Sequence, residues 1–413
     1  MKIIIHRGGS EIGASCLEIQ SGGGARIMVE AGSELEGEKA RLPQSADFAD
    51  AVFISHAHPD HFGLACGVRK NIPIYCGEIT AKIIKTASAF NPKFGGGQIP
   101  FSVFKSGEKI RVKDILITPF ATDHSVPGSC AFAIESGGKK ILYTGDFRSS
   151  GRKKNALKFL VKNAKNPDAL IVEGTRIEGN GSAIETEFEV EEKIAEALSA
   201  YENLPAFAVC SGINVDRIVS IFKACKRARR VFVCDIYTAL VLLQMGSLGA
   251  RVPQMTWRGV RVLSKGEIFA SQRRALEASF ETLGASDFRK NVYSRGISIS
   301  LEEIAACPNK YLIKANPIEA IMQKCGMPQA NIIYSMWEGY MDEKFDKKRR
   351  YAALSSRNPF WKIHASGHIA QNGLFDFIGA VSPKKLIPFH TNAPEKFREK
   401  YPDAIVGEKI INV

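Results

Sequence analysis

Short apolar runs broken by glycine and charge open the chain. They predict strands at 2–6, 16–20, 26–30 and 51–54. Helical pieces are expected at 59–68 and 79–89, followed by a glycine-rich loop at Phe94-Gly95-Gly96-Gly97 and further strands through Leu142. A helix is expected at 156–165. Beyond a glycine-rich hinge at 179–182 the period changes: Val190, Ile194 and Leu198, at four-residue spacing, predict a helix over 185–200. An apolar strand at 205–210, a helix at 215–225 and a strand at 231–234 then alternate, the pattern of a parallel sheet with crossover helices. Residues 264–283 read as mainly helical, 291–295 and the stretch after Pro308 as strands. The chain returns to its first domain near 355–361.

The chemistry concentrates where the strand Ala51-Val52-Phe53-Ile54 ends. His56-Ala57-His58-Pro59-Asp60-His61 packs three of the chain's eight histidines and a carboxylate into six positions. Imidazole nitrogen and carboxylate oxygen suit zinc, and loops at sheet edges are where sites sit. Six residues cannot wrap two ions, so further ligands must come from elsewhere. His124, Asp146 and His390 each follow a strand-like segment, and all three can converge on one sheet edge.

Composition narrows the partner. The 413 residues, 45% hydrophobic, can bury one large core or two ordinary ones. A net charge of +13 suits a polyanion. Two basic runs, Lys226-Arg227-Ala228-Arg229-Arg230 and Lys347-Lys348-Arg349-Arg350, fall in the later part of the chain; the first can also cap a helix C-terminus. Nine scattered cysteines without a CxxC pair read as reduced thiols in a cytoplasmic protein. The start, Met1-Lys2-Ile3-Ile4-Ile5-His6-Arg7, reads as a charged strand rather than a signal peptide, and no run spans a bilayer. Gly8-Gly9-Ser10-Glu11-Ile12-Gly13 lacks a P-loop lysine and precedes a strand, so it reads as a hairpin turn.

With these motifs the chain resembles the metallo-β-lactamase superfamily. Ser55-His56-Ala57-His58-Pro59-Asp60-His61 matches its second motif, His124 its third and Asp146 its fourth. The resemblance implies that His56, His58 and His124 hold one zinc, that Asp60, His61 and His390 hold the other, and that Asp146 bridges them. Mn2+ or Mg2+ in place of zinc, or in addition, stays open. Glu30 stands where the superfamily usually has an aspartate supporting the histidine loop. The long stretch before His390 resembles the β-CASP cassette of nucleic-acid-processing nucleases. Glu173-Gly174-Thr175 looks like motif A, His364-Ala365-Ser366-Gly367-His368 like motif B, and Pro388-Phe389-His390-Thr391 like motif C. Ser211-Gly212-Ile213-Asn214-Val215-Asp216-Arg217 resembles the loop-to-helix turn of the ribonuclease J family.

The fold so implied is α/β: an αββα sandwich (1–180 and 356–413) with an inserted α/β β-CASP domain (181–355). The activity implied is zinc-dependent hydrolysis of phosphodiester bonds, first of single-stranded RNA, by exonuclease or endonuclease action. His368 is the expected proton donor, Glu173 its positioning carboxylate or a partner of His390, and Asp60 both ligand and catalytic group. His364, Ser366, Gly367, Ser211, Asn214 and Arg217 are expected to meet the substrate. Tyr340 and Trp337 are candidates for base stacking, with core packing the expected fate of Trp337. Ribonuclease J proteins carry a further C-terminal domain; the chain stops soon after His390, so oligomerisation by that route is not expected, and another route to a homo-oligomer stays open. The alternatives are a non-catalytic nucleic-acid-binding subunit, a DNA nuclease and a small-molecule metallo-hydrolase.

Overall fold

The computed structural model describes residues 1–35, 39–153, 155–179, 186–346 and 349–413. Residues 180–182 of the expected hinge, the start of the 185–200 helix, the 180/181 boundary, and Lys347 and Lys348 lie outside them. The opening strands are β1 (Lys2–Arg7), β2 (Cys16–Gln20), β3 (Arg26–Val29), β4 (Ala51–Ile54), β5 (Ile74–Gly77) and β6 (Phe101–Phe104). Then follow β7 (Ile110–Val112), β8 (Ile115–Ala121), β9 (Cys130–Ser136), β10 (Lys139–Tyr143) and β11 (Ala169–Glu173). The later chain adds β12 (Ala206–Val209), β13 (Val231–Asp235), β14 (Val260–Leu263), β15 (Ser298–Ile299), β16 (Tyr311–Lys314), β17 (Asn331–Tyr334) and β18 (Phe360–Lys362). Strands β19 (Leu386–Phe389) and β20 (Ile410–Asn412) close it.

These strands form three sheets, divided between two units: 1–181 with 367–413, and 182–366. In the first unit one sheet runs β20-β1-β2-β3-β4-β5-β6 and the other β19-β11-β10-β9-β8-β7. Strict alternation explains why they stack. In β10 and β11, Ile141, Tyr143, Ala169 and Ile171 face the core shared by the two sheets, with Phe53, Ile27 and Leu17 opposite. Leu142, Leu170 and Val172 point the other way, against Leu160 of the helix Ala156–Asn163 and Leu374, Phe377 and Ile378 of the helix Gln371–Val381. The helix Glu78–Phe90 packs on β5 and β6. The unit is an αββα sandwich.

The second unit has a seven-stranded, wholly parallel sheet, ordered β15-β14-β13-β16-β12-β17-β18. The helix Glu187–Ala200 precedes its first strand, and the helices Val215–Arg227 and Ile236–Ser247 supply crossovers. The last of these, apolar on nearly every face and buried, carries no amphipathic period and has no counterpart in the sequence-based expectations. The unit extends past the expected return at 356, because β18 pairs in parallel with β17 (Ile332 with Phe360, Tyr334 with Lys362). The strand expected at 291–295 is absent. The helix Ser286–Asn291 occupies its start, and Val292 N–H still bonds the Phe288 carbonyl in helical register. The helix expected over 59–68 is broken into Pro59–Phe62 and a 3-10 turn at Ala65–Gly67. Among the described residues no helix is long and apolar enough to cross a membrane.

Candidate metal centre

Strand β4 delivers the histidine loop to the edge of its sheet, and a set of backbone bonds fixes the loop there. Asp60 carbonyl accepts from Ser15 N–H at 2.9 Å, His61 carbonyl from Ala31 at 2.8 Å and Pro59 carbonyl from Ser33 at 3.0 Å. Gly32 makes this closeness feasible: a Cβ there would land on the Asp60 carbonyl. Glu30 is fully buried and left-handed (φ +65°). Its carboxylate accepts from Ser55 N–H (3.2 and 3.3 Å) and from the Tyr143 hydroxyl (3.1 Å), and lies 3.4 Å from His61 Nδ1. The extra methylene relative to aspartate is thus accommodated by a backbone conformation that costs about 1 kcal/mol in a non-glycine residue.

Seven donors converge around this loop. His56, His58, His124 and Asp146 offer atoms within 4.8 Å of one another, and so do Asp60, His61 and His390. Asp146 touches both sets. Its Oδ2 lies 3.3 Å from His61 Nε2, 3.6 Å from His56 Nε2 and 3.9 Å from His124 Nε2, and its Oδ1 lies 3.6 Å from His390 Nδ1. Asp60 Oδ2 is 3.0 Å from His390 Nε2. The far nitrogens are held from behind. Ser55 Oγ is 2.9 Å from His56 Nδ1, Gly367 carbonyl accepts from His124 Nδ1 at 2.6 Å, and Thr175 Oγ1 is 2.9 Å from His390 Nδ1. Such contacts fix ring orientation and leave the inner nitrogen as donor.

Electrostatics select the coordinating protonation states. Burial, reinforced by neighbouring imidazoles, holds His56 and His124 well below the usual histidine range; burial also takes His58 down to about 4. Burial pushes the Asp60 carboxyl up, but the His61 charge and the His390 hydrogen bond overrule it and hold it at about 2. Asp146 likewise lies well below the carboxylate range: burial opposes, and the histidines His390, His61 and His368 win. His56, His58 and His124 are thereby neutral, as a cation requires, whereas His61 differs: burial would lower it, but the carboxylates of Asp146, Asp60 and Glu30 raise it well above the usual histidine range, so it must release a proton to coordinate. Both ring nitrogens of His61 and Oδ1 of Asp146 are buried without a hydrogen-bond partner. Orphaned buried polar atoms are costly, and a cation coordinated there removes that cost. The donor set therefore fits a pair of divalent cations.

A third set, Asp146, Glu173, His368 and His390, adjoins the first two. Glu173 Oε2 lies 3.0 Å from His368 Nδ1, and Glu173 also accepts from Phe147 N–H at 3.0 Å. Burial lowers the His368 imidazole, but the facing Glu173 carboxylate and Asp146 overcome it and raise it to about 9. Glu173 thus pairs with His368; the hydroxyl beside His390 is that of Thr175. Thr175, Tyr143 and the buried pair Asp123–Arg148 (3.3 Å), which ties the His124 loop to the Asp146 loop, carried no assigned role in the sequence reading. Position next to a ligand was the signal available: Asp123 precedes His124, and Arg148 follows Asp146 by two.

The expected substrate contacts fare differently. Arg217 is completely buried. Its guanidinium clasps Glu187 (3.0 and 3.2 Å) and donates to the Ser335 carbonyl (2.8 Å), the Ala365 carbonyl (2.9 Å) and His364 Nδ1 (3.2 Å), so it holds the second unit together. Asn214 spends its side-chain oxygen capping the helix Val215–Arg227, accepting from Arg217 N–H at 3.2 Å. Gly367 belongs to the first unit, where its carbonyl orients His124 and Ser125 leaves no room for a Cβ. Ser211 is exposed, and His364 and Ser366 are half-buried in the second unit. Trp337 is 56% exposed rather than packed in a core. In the first basic run Arg230 is buried, bonding carbonyls of Leu204, Tyr201 and Glu202 just past the helix Glu187–Ala200, not the helix that immediately precedes it.

Residues 25–208 match the family described as β-lactamase superfamily domain. Fold and donor set agree with this match. Ribonuclease J of Sinorhizobium meliloti is 28% identical over 222 residues, 49% of this chain and 39% of that protein. A Methanocaldococcus jannaschii protein named Probable RNase MJ4 is 30% identical over 235 residues, 51% of this chain and 54% of its own length. The chain is similar to these two relatives over about half its own length and spans 39% and 54% of theirs. A crystal structure of a protein of unknown function from Enterococcus faecalis V583 shares the fold, with a TM-score of 0.78 at 19% identity over 100% of this chain and 99% of that one.

Proposed function

We propose that the chain is a metal-dependent nuclease that hydrolyses phosphodiester bonds of single-stranded RNA, with zinc as the first candidate for its two cations. One observation carries the reading: Asp146 faces both three-residue donor sets, and the Glu173–His368 pair stands beside it. His56, His58 and His124 would hold one cation, Asp60, His61 and His390 the other, with Asp146 between. Bound there, the cations would supply Lewis-acid polarisation of a phosphate and an acidified water.

The chain's own groups do the rest. Glu173 fixes His368 through Nδ1, so His368 would exchange its proton with the leaving oxygen at Nε2. The facing Glu173 carboxylate favours the protonated form of that ring. Ser55, Gly367 and Thr175 hold the ligand rings against rotation. RNA rather than DNA is favoured by the names of the ribonuclease relatives.

The test is a time course on single-stranded RNA and DNA, labelled at either end, with 5′-phosphate or 5′-hydroxyl, with and without chelator. Chelator-sensitive loss of RNA, abolished in His58→Ala and His368→Ala proteins that remain folded, is the expected result. Full activity in both variants, or turnover of a thioester or lactam with no nucleic acid cleaved, would reject it. The labelled ends separate trimming from internal cleavage.

A further inference from the structure

The second unit carries a cavity of about 400 Å³ at the edge of its sheet where strands begin. Val231, Val260 and Tyr311, the first residues of β13, β14 and β16, form its floor. It therefore sits at the strand ends opposite those that lead to Ser335 and His364. Nothing in the nuclease chemistry uses it.

Its lining has a definite chemistry. Arg258, Arg261 and Lys310 contribute three cations, of which Arg261 also faces Glu303 at 3.5 Å; no acidic side chain is among the lining residues. The turn into β13 brings Lys226, Arg227 and Arg229, all exposed. Trp257, 41% exposed, stands on its wall with the inner side of the ring against Phe222 (centroids 5.9 Å). A large aromatic kept half in solvent beside cations is unusual in a structural role. Arg261 donates to the Ser298 carbonyl at 2.9 Å, yet its Nε is buried without a hydrogen-bond partner. Gly259 and Gly296, both with positive φ, leave part of the wall without side chains.

We propose that this cavity is a binding site for one nucleotide unit of single-stranded RNA, built from residues of the second unit that take no part in the metal centre. A base stacks on Trp257, and Arg258, Arg261 and Lys310 take the flanking phosphates. The volume suits a nucleotide. Stacking is tolerant of sequence, and phosphate contacts supply salt-dependent affinity. Such a site adds affinity for the strand and supplies no group to the reaction. The proposal rests on the nuclease reading for the identity of its ligand.

The experiment measures binding of a fluorescein-labelled, cleavage-resistant 2′-O-methyl oligoadenylate to the metal-loaded protein, beside hydrolysis of bis(p-nitrophenyl) phosphate. Trp257→Ala and Arg258→Glu should each weaken binding about tenfold or more, while Trp257→Phe stays near wild type. Arg258→Ala should reduce the salt slope by about one. Hydrolysis of the small diester should be unchanged in all four. Wild-type binding by both Trp257→Ala and Arg258→Glu would overturn the site while leaving the nuclease reading intact. Equal displacement of the oligonucleotide by polyglutamate would overturn it in favour of a protein partner. A wild-type protein that neither binds the oligonucleotide nor cleaves the diester would bring down the nuclease reading itself.

Discussion

The two units both bury dense sets of polar side chains, yet the sets end differently. In the second unit Arg217, Glu187, Ser335 and Ser220 close a network in which donors meet acceptors, and Lys314, Asp235 and Thr238 close another. In the first unit the histidine loop leaves His61 and one oxygen of Asp146 unsatisfied. A closed network is architecture. An open one, held rigid from behind by Ser55, Gly367 and Thr175, is built for something that arrives. Polarity and burial alone do not separate the two; unsatisfied atoms among several converging donors do, since isolated ones such as Asn331 Oδ1 occur in the second unit as well.

The sharpest way to break this comparison is Arg217→Ala. It strands the buried Glu187 carboxylate, and the protein should lose about 3–5 kcal/mol of stability in urea unfolding. Metal bound per folded molecule should stay unchanged by elemental analysis; if metal is lost in step with stability, the two networks are not separate.

Thr175→Val makes the reverse prediction. It removes the hydroxyl behind His390, so metal affinity should fall about 10- to 100-fold in a chelator competition, with little change in melting temperature of the metal-free protein. Metal affinity equal to wild type would remove Thr175 from the site's support.

The smallest effect tests a closed network inside the first unit. Burial pushes the Glu18 carboxyl up, but hydrogen bonds from His6, Gln20 and Ser45 and the charge of Arg26 bring it down from 4.5 to about 2. A depressed carboxyl contributes stability that is present above 4.5 and lost as pH falls toward about 2. Glu18→Gln should therefore flatten the dependence of the urea midpoint on pH across that window. An unchanged slope would show that Glu18 is not the group responsible.

Much of this was legible in the chain. The unbroken apolar runs Ile141–Tyr143 and Ala169–Val172 announce strands buried on both faces, and the six-residue histidine loop follows an apolar strand too closely to be incidental. Convergence of His124, Asp146 and His390 could be anticipated because each closes a strand. The Ser211–Arg217 turn was misleading for a physical reason. A loop-to-helix turn with Asn and Arg looks the same whether it greets a phosphate or caps and clamps its own fold. The partners that decide, Glu187, Ser335 and Ala365, lie 30, 118 and 148 residues away from Arg217. The helix Ile236–Ser247 escaped because full burial erases the amphipathic period. The aromatic Trp337 was expected inside because composition does not report which face a turn presents.

Gly32 has a consequence for design. The histidine loop is pressed so closely onto the strand before it that one hydrogen atom is all the side chain the position can hold. Anyone transplanting the six-residue loop onto another scaffold must therefore carry the Glu30-Ala31-Gly32 shelf along with it. Grafted without that shelf, the ligands would keep their order in sequence and lose their aim.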